Sequence, residues 1–119
     1  MTRTRPLLAF GFVLFTACAT QSEMRADSPI GQFNSRKAPK DVAECIHEAW
    51  SDMKIGGTAM GAYLASRGEG FVVTSNGQPP LELADVLSVA GGSEIRIHEQ
   101  KGVADWRGRR YVEAAQACK

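Results

Sequence analysis

Only two histidines and three cysteines occur in the 119 residues, with no CxxC, HxH or HExxH spacing. A zinc site draws on closely spaced Cys and His ligands, so none is expected. His47 and His98 are read as ordinary surface residues, and no metal or other cofactor is assigned. A strong charge of one sign is missing too. Fourteen Lys and Arg face 13 Asp and Glu, so the chain lacks the basic footprint of a nucleic-acid binder. There is no GxSxG elbow. Gly56-Gly57-Thr58-Ala59-Met60-Gly61 is not followed by the Lys-Ser/Thr that holds phosphate and Mg²⁺, and it reads as a helix stop and loop. Ser51-Asp52 with a distant histidine is a combination that many compositions yield. No catalytic residue is assigned. Internal repeats and low-complexity segments are also absent. Finally, the apolar run Leu7 to Phe15 covers 9 residues, well short of the roughly 20 that span a bilayer.

That short run is nevertheless the most telling segment. Arg3 and Arg5 precede it, and Thr16-Ala17-Cys18 follow it. A basic start, a brief apolar centre and small residues at a cleavage point make a secretory signal. An ordinary signal peptide with an incidental thiol would carry the same features. A cysteine directly after the small residues suits a bacterial lipoprotein better, with Phe15-Thr16-Ala17-Cys18 as its lipobox. In such signals residues 1–17 are removed and Cys18 is acylated. Phe15 stands where Leu, Val or Ile is usual. Ala19, where Asp would mark inner-membrane retention, points to the periplasmic side of the outer membrane. Several acyl chains anchor stably, because each buried CH₂ contributes about 0.8 kcal/mol.

Removing residues 1–17 takes two arginines from the 14 basic residues and leaves the 13 acidic ones, a formal charge of −1. The remainder suffices for one small domain. With Cys18 lipidated, Cys45 and Cys118 form an even pair, which in a small exported domain points to one disulfide. A closed loop of about 73 residues stabilises by roughly 4 kcal/mol on the chain-entropy model.

Residues 18–38 are polar and without period, which predicts a lipid anchor followed by a flexible tether. The folded domain is then 39–119. Pro39 and Asp41 open a helix. Val42, Cys45, Ile46, Ala49, Trp50 and Met53 form its apolar stripe, and Gly56-Gly57 are read as its stop. From Gly57 to Gln100 short β-like runs alternate with turns. Met60–Ser66 is the weakest of them. Phe71–Thr74, Leu81–Val89 and Glu94–Glu99 are better, with Ile95 and Ile97 facing opposite to Arg96 and His98. Ala104 to Cys118 reads as a second helix, at least from Tyr111 onward, with its start blurred by Gly108. The expected fold is therefore α+β: a small antiparallel sheet of three to four strands, flanked by an N-terminal and a C-terminal helix joined by the Cys45–Cys118 disulfide.

Lys40-Asp41-Val42-Ala43-Glu44-Cys45-Ile46, Trp50, Gly70-Phe71-Val72-Val73, Leu83-Ala84-Asp85-Val86, Gly91-Gly92-Ser93 and a terminal Ala-x-x-Cys together resemble a group of small proteobacterial lipoproteins. The resemblance covers about residues 39–119. It implies an α+β domain with disulfide-linked helices, and it transfers no catalytic residue.

Two features could carry binding. Asp85 lies between Leu81, Leu83 and Leu87, Val89, on a parity that should face the core. Either a bulge near Ala84 turns it to solvent, or its carboxylate is held at the sheet surface for a partner's cation. Trp106-Arg107-Gly108-Arg109-Arg110-Tyr111 holds residue types common in interface hot spots. Trp106, Arg107, Arg109 and Arg110 either meet an acidic partner or anionic headgroups, or form a solvated loop with Trp106 closing the core. The functional expectation is a non-enzymatic, lipid-anchored module for a periplasmic protein, of inhibitor, immunity or envelope-accessory type. A cell-wall-binding role and a small envelope hydrolase are the alternatives.

Overall fold

A computed structural model describes residues 16–119, with side chains from Thr20 onward. Residues 1–15, most of the expected signal, and the side chain of Cys18 fall outside the described residues.

The order of elements is α1 (Thr16–Ala26), β1 (Gly31–Ser35), α2 (Pro39–Ser51), β2 (Lys54–Ile55), β3 (Thr58–Ala59), β4 (Ala62–Arg67), β5 (Gly70–Ser75), β6 (Glu82–Val89), β7 (Gly92–Glu99) and α3 (Asp105–Gln116). Five strands form one antiparallel sheet in the order β1-β7-β6-β5-β4. The last four make a meander, with tight turns between β4 and β5 and between β6 and β7 and a longer loop between β5 and β6, and β1 adds at its open side. Because β1 and β4 are opposite edges, α2 must cross the whole sheet to connect them.

α2 starts as its sequence dictates, with Pro39 in the first turn and Asp41 beside the helix's positive end. Its buried stripe is Val42, Ala43, Ile46 and Trp50. The helix stops at Ser51, earlier than Gly56-Gly57 predicted. Those glycines, at φ of 61° and 81°, turn the β2–β3 hairpin instead, a geometry that β-carbons disfavour at both positions. Ser51 O accepts from Gly61 N at 3.2 Å, and Met53 O from Met60 N at 2.7 Å, so the returning chain takes up the helix-end carbonyls.

The main core lies between the sheet and the α2–α3 layer. Val73, Ala84, Val86, Ile95 and Ile97 supply the sheet side; Ile46, Trp50, Tyr111, Ala115 and Cys118 supply the helical side. Trp50 and Tyr111 meet edge to face, with ring centroids 5.0 Å apart, and the indole N–H donates to Tyr111 O at 3.1 Å. The Cys45–Cys118 disulfide closes the same junction, across 73 residues. The α+β class, the antiparallel sheet and the linked helices agree with the sequence reading. The sheet has five strands rather than three to four.

The reading of 18–38 as a tether needs the larger correction. Gly31–Ser35 is a sheet strand paired along its length with Ser93–Ile97 of β7, its half-buried Phe33 packing on the main core. Part of α1 docks on the opposite face of the sheet, where Met24 packs with Val72 and Leu83 in a second, smaller cluster. A polar composition hid both elements: each commits one or two side chains to burial, which sustains no detectable period. The molecule is thus three layers, α1 on one face of the sheet and α2 with α3 on the other.

Candidate functional site

The sheet's two faces carry different chemistry, and each holds residues singled out in the sequence. On the main-core face, β6 begins with Glu82, which is fully buried. Arg107 of α3 answers it with two hydrogen bonds, Nε to Oε2 at 2.7 Å and Nη2 to Oε1 at 2.8 Å. Its guanidinium carbon also lies 5.3 Å from the Tyr111 ring centroid. The hydrogen bonds to Glu82 raise the Arg107 pKa above its ordinary value, outweighing the opposing effect of burial. Arg107 therefore belongs to the fold and is not offered to a partner.

Glu99 stands directly across from Glu82 in the β6–β7 register. Burial pushes its carboxyl up to about 7, with the charges of Glu82 and Asp105 adding to the effect and Arg107 opposing it. α3 passes close over this carboxyl at Gly108, where a β-carbon would sit 2.5 Å from Glu99 Oε2. That contact explains how a glycine lies inside the helix: α3 runs unbroken from Asp105, so Gly108 does not interrupt it. Glu99 Oε2 and the hydroxyl of fully buried Tyr111 lack hydrogen-bond partners. Burial and Glu82 likewise raise the Tyr111 pKa.

The other residues of the same segment point outward. Trp106 is 47% exposed, so it does not close the core; Trp50 fills that place. Arg109 and Arg110 follow at i+3 and i+4 and are exposed on the same side of α3. Arg110 Nη2 donates to Lys54 O at 2.8 Å, which steadies one arginine beside the indole. The four residues of the motif thus divide: Trp106, Arg109 and Arg110 form an outer face, and Arg107 turns in.

Asp85 lies on the opposite, α1-covered face. No bulge diverts it, since β6 pairs continuously with β7 from Glu82↔Glu99 to Val89↔Gly92. Ala84 and Val86 face the main core, while Leu83 and Asp85 face α1. Asp85 is only 5% exposed, and Arg25 of α1 grips it through Nε at 2.8 Å and Nη2 at 2.9 Å. Arg67 Nη1 stands 4.0 Å away from the same carboxylate. Its cation is therefore supplied in cis.

Both histidines are more enclosed than the sequence suggested. His47 is half-buried and its Nε2 lies 3.1 Å from Ala62 O. His98 is buried beneath the end of α1. Burial lowers its pKa, and Arg25 adds to this; Asp85 and the Asp27 and Met24 backbone oppose it. Arg25, Arg67, Arg96, Glu82 and Glu99 were not singled out from the sequence. The readable signal was β6 itself, apolar at both parities, which marks a strand covered on both faces.

Comparison with protein-family models finds no match, and neither curated proteins nor solved structures give one. Among the described residues, no helix is long and apolar enough to cross a membrane.

Proposed function

We propose that this chain is a non-enzymatic binding module, lipid-anchored through Cys18 on the periplasmic side of the outer membrane, and that it engages a protein partner with the outer face of α3. The observation that carries the reading is the exposed indole of Trp106 flanked by Arg109 and Arg110. Tryptophan and arginine are the side chains most enriched among interface hot spots, and an indole left half in water on a small domain has no packing role to explain it. The anchor rests on the signal and lipobox of the sequence.

The Glu82–Glu99 pair does not suit a hydrolase. A pair of working carboxylates must both reach substrate. Glu82 is fully buried and committed to Arg107, so Glu99 has no accessible acidic partner in β6. An inhibitor, immunity or envelope-accessory role fits a charge-balanced domain with a rigid core.

Quantitative affinity capture from envelope extracts tests the proposal, using the oxidised, acylated protein beside a Trp106→Ala/Arg109→Glu/Arg110→Glu variant. One stoichiometric partner, lost at least tenfold in the variant, is the expected result. Equal capture by both forms refutes the α3 face. An empty capture together with co-sedimentation on peptidoglycan turns the reading to cell-wall binding.

A further inference from the structure

The docked α1 changes where the domain stands relative to its anchor. A free leash of twenty residues would let it wander about 25 Å from the lipid. Instead Cys18 belongs to α1, and Arg25, seven residues on, is fixed to Asp85 by two hydrogen bonds. Seven helical residues span about 10 Å. With Cys18 acylated, the α1 side of the sheet is therefore held at the bilayer surface, and α3 on the far side is turned away from it.

The face so presented has matching chemistry. Arg25, Arg67, Asp85, Arg96 and His98 line a shallow groove of about 370 Å³ beside α1. Of the two carboxylates that line it, Asp85 is taken by Arg25 and Asp27 stands 3.9 Å from Lys101. Arg67 and Arg96 flank the groove with side chains 48% and 44% exposed. Arg96 is paired with Glu94, donating to it from Nε and Nη2 at 3.2–3.3 Å, and Glu94 also accepts from Gln32. At the groove's floor His98 is nine-tenths buried, and its Nδ1 has no hydrogen-bond partner. Tyr63, 61% exposed, and Val89 extend the same face of the sheet, and a tyrosine ring suits the headgroup level of a membrane.

We propose that the α1-side face of the sheet is a membrane-contacting surface, on which Arg67 and Arg96 bind the phosphates of anionic phospholipid headgroups while Tyr63 lies in the interface. This rests on the acylation of Cys18 put forward above. Anionic lipid attracts each nearby basic side chain enough to shift an equilibrium about fivefold. Two arginines then change the ratio of docked to undocked domains by on the order of thirtyfold.

The test is fluorescence quenching by headgroup-nitroxide lipid, with the acylated protein reconstituted in phosphatidylglycerol–phosphatidylcholine vesicles or in phosphatidylcholine alone. The native chain reports through Trp106 on the far face, over a background from buried Trp50 that is common to every variant. A Tyr63→Trp/Trp106→Phe variant reports from the near face. Quenching at position 63 and not at Trp106, stronger in anionic vesicles and lost in Arg67→Gln/Arg96→Gln, is the expected pattern. Both arginines are about half exposed, so the fold survives their replacement, and Arg67→Gln alone should give about a fivefold shift. Position 63 left unquenched, in protein whose mass shows acylated Cys18, overturns the membrane-facing surface and leaves the anchor standing. Cys18 found unacylated removes both. Saturation of Arg67 and Arg96 side-chain resonances by micromolar inorganic phosphate, without any vesicle response, assigns the groove to a free anion and also overturns the proposal.

Discussion

Replacing Glu99 by glutamine isolates the one strongly displaced titration in the domain. The folded chain holds the Glu99 proton up to about pH 7, against 4.5 for the free side chain. A raised acid favours the fold while protonated. Its contribution is therefore fully present below pH 4.5, declines as pH rises from 4.5 to 7, and is gone above that. At about 1.4 kcal/mol per pH unit the span corresponds to about 3.5 kcal/mol at most. Glu99 keeps some solvent access, which reduces the expected effect to about 2 kcal/mol. Glutamine keeps the shape, stays neutral at every pH and can donate to Glu82 or Asp105. Urea denaturation followed by Trp50 emission should thus give nearly equal stabilities for the two proteins at pH 4. At pH 8 Glu99→Gln should be the more stable by about 2 kcal/mol, a midpoint shift of about 1–2 M. A stability difference independent of pH would refute the claim that an enclosed, proton-holding carboxyl sits beneath α3.

The other expectations concern the joints between layers. Gly108→Ala gains about 1 kcal/mol in helix propensity but places a β-carbon 2.5 Å from Glu99 Oε2, a crowding worth about 1–3 kcal/mol. It should destabilise the native chain and stabilise a Glu99→Ala background, a change of sign readable in thermal midpoints. Asp85→Ala leaves Arg25, whose side chain is 19% exposed, without its carboxylate. It should lower stability by about 2–3 kcal/mol, with faster amide exchange over residues 20–26 than over α2. Reduction of the disulfide, or Cys45→Ala/Cys118→Ala, reopens a 73-residue separation and should lower stability by about 4 kcal/mol in denaturant titrations.

The main core was legible in the sequence because its burial is periodic. Val42, Ile46 and Trp50 recur at helical spacing, and Ile95 and Ile97 alternate with Arg96 and His98, so element type and facing followed directly. The cysteine pair followed from counting. α1 and β1 were not legible: Met24, Arg25 and Phe33 are single contacts in a polar stretch, and their partners Asp85, Leu83 and Ile95 lie roughly sixty residues away. Asp85 seemed to need a bulge because one covered face was assumed. A second layer removes the anomaly, and Leu83, Asp85 and Leu87 on one parity with Ala84 and Val86 on the other were its visible trace. In the 106–111 motif Trp106, Arg109 and Arg110 are exposed, but local sequence does not tell which arginine a buried Glu82 will claim.

The most direct test of the central claim is site-specific photocrosslinking in living cells. A photoreactive residue is placed at position 106, on the outer face of α3, and for comparison at position 44 on the exposed side of α2. One discrete higher-mass adduct is expected from position 106, none from position 44, and loss of the adduct in Arg109→Glu/Arg110→Glu. Position 106 giving no adduct, or only the diffuse labelling seen at position 44, would contradict a partner-binding role for α3.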